Sequence, residues 1–275
     1  MDSARLVEGS WRELPAAFRG SVALGLERRR YPRPLGLRVL ARASHRRTRI
    51  QRGGTHMTYL TQILVPYELA TRQLRIRDTY DWHQRVWQAF GGRGGAPRDF
   101  LTRVDQIDDA HRLLIVSATP ASKPGWCPTD CFQTKPIPEA FFGHPRYRFS
   151  LLANPTKKII DPDKSKVVRP DGRIDRNRNS RRVSLTRRED LLAWLNRKAE
   201  AGGFAVDLDK VRTIPRGREY FFKPGARGVH HAVEFQGVLQ VTDATKFREA
   251  FVRGIGSAKA FGFGMLVLAP ISLSD

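Results

Sequence analysis

The chain has 275 residues and carries 49 Lys and Arg against 27 Asp and Glu, a formal net charge of +22 that suits a polyanionic partner better than a small substrate. Its 40% hydrophobic content leaves room for a packed core and excludes a wholly disordered basic protein. No apolar run approaches the roughly 18–20 residues of a membrane span, and the N-terminus lacks the basic-then-apolar layout of a signal peptide, so a cytoplasmic protein with no membrane partner is expected.

Residues 1–56 hold 13 Arg, 4 acidic residues and no Lys, whereas Lys recurs after them. Gly53-Gly54 lies just upstream of Met57, where purine-rich glycine codons can double as a ribosome-binding site. Translation is expected to start at Met57, with a nucleic-acid-binding basic arm as the competing reading. Residues 57–275 keep a net charge of +13, the difference between +22 for the chain and +9 for residues 1–56.

From Met57 the pattern predicts a strand over Tyr59–Val65, a helix over Thr79–Phe90, a strand over Phe100–Gln106, a turn at Asp108-Asp109 and a strand over Arg112–Ala118. Thr119–Gly143 is too rich in Pro and Gly to assign. Cys127 and Cys131, the only cysteines, lack the partners of a zinc site and are expected as free thiols in a loop. A second series opens with a strand over Tyr147–Ala153. Its helix, Arg187–Ala201, has Thr186 and Glu189 as a capping box and stops at Gly202. Strands near Val211–Lys223 and Val229–Val241 follow, then a helix over Ala244–Arg253 capped by Asp243, a glycine loop, and a last strand over Gly264–Leu268. Both halves read β-α-β-β, the second completing α-β, which is the ferredoxin-like order, so the expected fold is α+β with tandem ferredoxin-like (RRM-like) β-α-β-β-α-β domains. The boundaries are 1–56 for the basic extension, 57–143 for the first domain and 144–275 for the second.

Two segments invite phosphate. Between Lys157 and Arg188 lie 12 Lys or Arg and 4 Asp, with few large apolar groups, which predicts a mobile basic loop. Lys157, Lys158, Arg181 and Arg182 are its candidate RNA contacts. In the loop Gly254-Ile255-Gly256-Ser257-Ala258-Lys259-Ala260-Phe261-Gly262-Phe263-Gly264, the glycines let backbone approach a sugar-phosphate chain while Lys259 supplies charge. Gly254, Gly256, Gly262 and Gly264 are therefore RNA-binding candidates too, against the bland reading of a tight connection.

Histidine, tyrosine and lysine are side chains that can exchange protons or steady charge without a metal. Tyr80 and His83 stand at i and i+3 and point from one helix face, while Trp82, Val86 and Ala89 form the core stripe. His83 is thus expected to stand clear of the packing face, and the helix dipole favours its neutral form. An exposed histidine without a role is the alternative that the residues alone leave open. Arg77 and Arg85 are nearby candidates for steadying charge. His111, His144, His230 and His231 read as turn or sheet positions. No metal-protease, clustered-carboxylate or Walker pattern is present, so no metal or cofactor is expected.

The stretch Phe235-Gln236-Gly237-Val238-Leu239-Gln240-Val241-Thr242-Asp243, the helix after it and the glycine loop resemble the C-terminus of the CasE family, CRISPR-associated endoribonucleases of type I-E systems. Met57-Thr58-Tyr59-Leu60, Tyr80-Asp81-Trp82-His83-Gln84 and Arg148-Phe149-Ser150-Leu151-Leu152-Ala153-Asn154-Pro155-Thr156-Lys157 agree, so the resemblance spans residues 57–270. It implies two ferredoxin-like domains that cut precursor CRISPR RNA at the base of a repeat hairpin, without metal, and remain with the product as a Cascade subunit. It also implies His83 as general base or acid and Tyr80 as its partner or a positioning group for the scissile nucleotide. Ser257 departs from the bulkier or basic residue the family often has there, the insertion Lys164–Arg182 is long, and residues 1–56 have no counterpart. The alternative is a non-catalytic subunit that only holds the RNA hairpin.

Overall fold

The computed structural model describes residues 57–91, 98–160, 171, 180–223 and 225–271. The first series runs β1 (Tyr59–Pro66), a π-helical turn (Leu69–Gln73), α1 (Thr79–Trp87), β2 (Phe100–Ile107), β3 (Ala110–Ser117) and β4 (Phe132–Pro136). Its strands are antiparallel in the order β2-β3-β1-β4, the ferredoxin-like order. β4 comes from the stretch whose sequence resists assignment. It is a short edge strand with mostly exposed side chains and so carries little apolar pattern. The place of a second helix is taken by irregular chain and a single 3₁₀ turn, Thr129–Cys131.

The second series is β5 (Arg146–Ala153), β6 (Thr156–Ile160), β7 (Ser180–Ser184), α2 (Arg188–Ala201), β8 (Phe204–Val206), β9 (Arg212–Lys223), β10 (Ala226–Val241), α3 (Ala244–Arg253) and β11 (Leu266–Pro270). The order β11-β5-β10-β8 repeats the ferredoxin-like arrangement, with the second-strand position shared between β8 and β9 on the same edge of β10. β10 pairs with β5 only over Val233–Gln240, so its Ala226–Ala232 half pairs with β9 alone and the two form a projecting ribbon.

Two expectations are corrected here. The basic segment is not loop throughout: β6 and β7 form an antiparallel hairpin at its two ends, and the chain between them lies largely outside the described residues. The capping box on α2 is absent as well. The helix starts one residue later than expected, with Arg187 at the N-cap and no side-chain cap bond, which leaves Thr186 too early to reach the first free amides. The caps at Asp243, whose carboxylate accepts from the Lys246 amide at 3.0 Å, and at Gly202 are as expected.

The first sheet is buried on both faces, which is why β3 reads as a nearly continuous apolar run. Ile63, Val65, Phe100, Leu113 and Ile115 pack against Trp82, Val86 and Ala89 of the α1 region. Leu101, Leu114 and Val116 face the other way and join the core of the second half, with Tyr147, Phe235 and Phe251. Cys127 and Cys131 are free and buried beneath α1, and desolvation pushes the Cys127 thiol up to about 11. No helix among the described residues is long and apolar enough to cross a membrane.

Candidate active site

The site is organised by the first turn of α1. Asp78 caps it, one carboxylate oxygen accepting from the amides of Tyr80 (2.9 Å) and Asp81 (3.0 Å). The other oxygen accepts from the Phe222 amide of β9 at 2.8 Å, tying the projecting ribbon to the helix. From this start Trp82 and Val86 turn into the core, while Tyr80 and His83 share a second face with ring centroids 6.5 Å apart.

His83 is not clear of packing as expected. β2 packs against it: its ring lies against Phe100 (6.5 Å) and the edge of Trp87 (6.1 Å). Nε2 accepts a hydrogen bond from the Trp87 indole N–H at 3.0 Å, which puts the proton of the neutral ring on Nδ1. Nδ1 is buried without a partner. Desolvation, followed by the charge of Arg98, pushes the imidazole down to about 4. The expectation of a neutral histidine therefore holds, and burial is its main cause.

His83 lines a cavity of about 400 Å³ together with Thr79, Thr102, Gln106, His111, Glu219 and the loop residues Phe261 and Gly262. His111 stacks on Tyr67 at 4.7 Å and meets Trp82 edge-on at 5.1 Å, so a residue read as a turn position forms an aromatic wall of this cavity. Burial holds the Glu219 carboxyl above its ordinary range. The pairing of β9 with β10, which carries Glu219 opposite His230, is what brings it here.

The other candidates fall in several places. Arg77 borders the cavity but is held by Asp81, Nε to Oδ2 at 2.9 Å and Nη2 to Oδ1 at 3.2 Å. Arg85 leaves by another side of α1 and donates to the Leu74 carbonyl at 2.9 Å. Lys157 and Lys158 lie on β6 opposite Val183 and Arg182, and Arg181 lies opposite Ile159 in the same hairpin. Lys157, Lys158 and Arg182 do not line the cavity. Gly254, Gly256 and Lys259 line a second cleft with Lys198, Lys246 and Arg253. Ser257 donates to the Asn154 carbonyl at 3.2 Å.

The glycine loop folds back on itself through a bond from the Ile255 amide to the Gly264 carbonyl at 2.7 Å. A Cβ on Gly264, which has φ +86°, would sit 2.4 Å from the Ile255 carbonyl oxygen, so glycine there is required by the turn itself. The same turn delays the last strand to Leu266. A Cβ on Gly262 would meet the Thr102 carbonyl oxygen at 4.0 Å, and the residue lines the His83 cavity. Lys259 donates to the Arg253 carbonyl at 2.6 Å, and its pKa is lowered by desolvation first and then by the charges of Arg98, Lys198 and Arg253.

Sequence reasoning missed Trp87 and Arg98. Trp87 is four residues beyond His83 and so faces it across one helical turn, a spacing that could have exposed the pair. Arg98 follows a Gly- and Pro-rich stretch with no periodicity to place it.

Residues 58–270 match a family model described as CRISPR associated protein. The chain is 35% identical over 201 residues to the CRISPR system Cascade subunit CasE of Escherichia coli (strain K12), covering 71% of this chain and 94% of that relative. It is 29% identical over 233 residues to the CRISPR-associated endoribonuclease Cse3 of Thermus thermophilus, covering 77% and 100% of the two chains. A structure of Thermus thermophilus Cse3 bound to an RNA representing a pre-cleavage complex matches with a TM-score of 0.55 at 25% identity, over 78% of this chain and all of that one. The architecture is thus that of a tandem ferredoxin-like α+β protein. The chain belongs to the CasE family of CRISPR-associated proteins.

Proposed function

We propose that this chain is a metal-independent, repeat-specific endoribonuclease that cuts precursor CRISPR RNA at the base of a hairpin. The observation that carries the reading is the neutral His83 beside Tyr80, in a cavity that Phe261 and Gly262 of the glycine loop also line, in a chain similar to a CRISPR-associated endoribonuclease. Working in the cytoplasm, it binds the repeat hairpin and other Cascade subunits. Residues 57–143 and 144–275 are its two domains.

In the reaction a base removes the 2′-hydroxyl proton and the 2′-oxygen attacks phosphorus. The bond from phosphorus to the 5′-oxygen then breaks, and an acid protonates that oxygen. The products are a 2′,3′-cyclic phosphate and a 5′-hydroxyl. His83 is the base or the acid, and Tyr80 is its partner or positions the nucleotide. Because the Nε2 lone pair is held by Trp87, the imidazole turns from the indole to exchange a proton through that atom. The basic hairpin, with Lys157, Lys158, Arg181 and Arg182, together with Lys259 and the loop glycines, holds phosphate and sugar.

The test is to incubate the chain in EDTA with its labelled repeat RNA, beside a copy with one 2′-deoxy nucleotide at the cut position. One discrete cut in the first and none in the second is expected, and His83→Ala should abolish cutting with hairpin affinity within about fivefold. Tight binding to both RNAs with no cut would leave an RNA-holding subunit instead.

A further inference from the structure

We propose that Arg98 is a further catalytic residue, donating hydrogen bonds to the non-bridging oxygens of the scissile phosphate as charge builds on them. The inference rests on the endoribonuclease reading and extends it to a side chain that the Tyr80 and His83 pattern does not contain.

Arg98 stands two residues before β2, and its guanidinium carbon lies 5.9 Å from the centre of the Phe100 ring. That is the ring against which His83 also lies, so Phe100 brings the cation and the imidazole to one place. The guanidinium is half-buried, and its Nη1 has neither solvent contact nor a hydrogen-bond partner. A buried charged donor left without an acceptor is costly, and folded chains keep such groups where a ligand completes them. Among the described residues, three other arginines near α1 and β2 are already used: Arg77 on Asp81, Arg85 on the Leu74 carbonyl, and Arg103 on Asp105, Ser150 and Glu234.

The electrostatics agree with the geometry. The charge of Arg98 acts against protonation of both His83 and Lys259, so the three groups share one neighbourhood of accumulated positive potential. An anion placed among them relieves that repulsion. Arginine keeps its proton under all relevant conditions and presents a planar fork of N–H groups that fits two phosphate oxygens. When the 2′-oxygen bonds to phosphorus, negative charge grows on the non-bridging oxygens before the bond to the 5′-oxygen breaks. A fixed fork at that position stabilises this state more than the ground state. Arg98 gives up no proton, and the proton transfers remain with His83 and its partner.

The experiment uses the full chain in EDTA under single-turnover conditions, comparing the unmodified chain, Arg98→Ala and Arg98→Lys. Each is given repeat RNA with the natural scissile phosphate or with either phosphorothioate diastereomer there. Affinity is measured separately on the uncleavable 2′-deoxy RNA. Arg98→Ala should slow cutting by about 10²–10³-fold with affinity kept within about threefold, and Arg98→Lys should restore part of the rate. The unmodified chain should be slowed by sulfur at one diastereotopic oxygen, and this discrimination should collapse in Arg98→Ala. An Arg98→Ala rate within about threefold of the unmodified chain defeats the proposal while leaving the endoribonuclease reading intact. So does a rate loss matched by an equal affinity loss, or sulfur discrimination unchanged in both variants. No cut by the unmodified chain defeats the endoribonuclease reading, and this proposal with it. Should the alanine variant not fold, Arg98→Lys and the sulfur discrimination still decide the matter.

Discussion

At the scale of a single residue, the Trp87 indole bears on the protonation of His83 beside the burial that is its main cause. Its N–H bonds only to the unprotonated Nε2, so it stabilises the neutral ring, in the same direction as burial. In Trp87→Phe the neutral form loses that donor, and the pKa of His83 should rise from about 4 toward its ordinary value. The His83 limb of the pH profile of kcat/KM should therefore move to higher pH. An acidic limb that moves identifies His83 as the base, an alkaline one identifies it as the acid, and a profile that does not move shows that the indole bond has no hold on the titration. The shared face of Tyr80 and His83 is legible from their i, i+3 spacing. The burial of His83 is not, because Phe100 packs against it from a strand 17 residues away, and helical periodicity reports nothing of what packs over a face.

Among the elements, α1 depends on Asp78 for two different bonds. Asp78→Ala should lose about 1 kcal/mol for the cap alone, with a further loss from releasing the Phe222 amide. Asp78→Asn separates the two: its carbonyl can still cap, but its amide group cannot accept from Phe222, so it should recover the cap contribution only. Thermal unfolding of the three chains checks this, and equal stability of the asparagine variant and the parent would show that the tie to β9 contributes nothing. The caps at Asp243 and Gly202 are readable because each requirement is local. β4 is hidden for the opposite reason. It is placed by its ladder with β1, Tyr59 opposite Pro136 through Ile63 opposite Phe132, and a mostly exposed edge of five residues shows little alternation. The β6–β7 hairpin is concealed by its basic composition, which in isolation signals chain without a core.

For the whole molecule, the two halves are joined by charge as well as apolar contact. Arg103 of β2, its side chain 7% exposed, reaches Glu234 of β10, whose side chain is 3% exposed, at 2.9 Å. Ser150, Gln236 and Arg216 complete the carboxylate's partners. These bonds outweigh the desolvation that opposes them and hold Glu234 down to about 2. Its unfolded pKa is higher, near 4.5, so the group adds stability that is fully present above that value and is lost as pH falls from about 4.5 through about 2. Glu234→Ala should cost about 1–3 kcal/mol at neutral pH by leaving the buried Arg103 with Asp105 as its one carboxylate partner, and should flatten the acid side of the stability curve in urea titrations. A loss under about 1 kcal/mol would show that the network is not holding the halves together. The tandem ferredoxin-like order was legible in the repeated strand and helix pattern, whereas this junction was not, because Arg103 and Glu234 are 131 residues apart.

A sheet with two dry faces has no side to spare. Leu101, Leu114 and Val116 belong to the core of the second half, and Gly254 sits so close to Leu101 that a methyl group there would lie 2.8 Å from its side chain. The two repeats are thus like the shells of a bivalve: alike in plan, separable on paper, yet neither closed without the other. Grafting one onto a different partner, or engineering a split version, would have to supply a substitute for that inner surface before any RNA was offered.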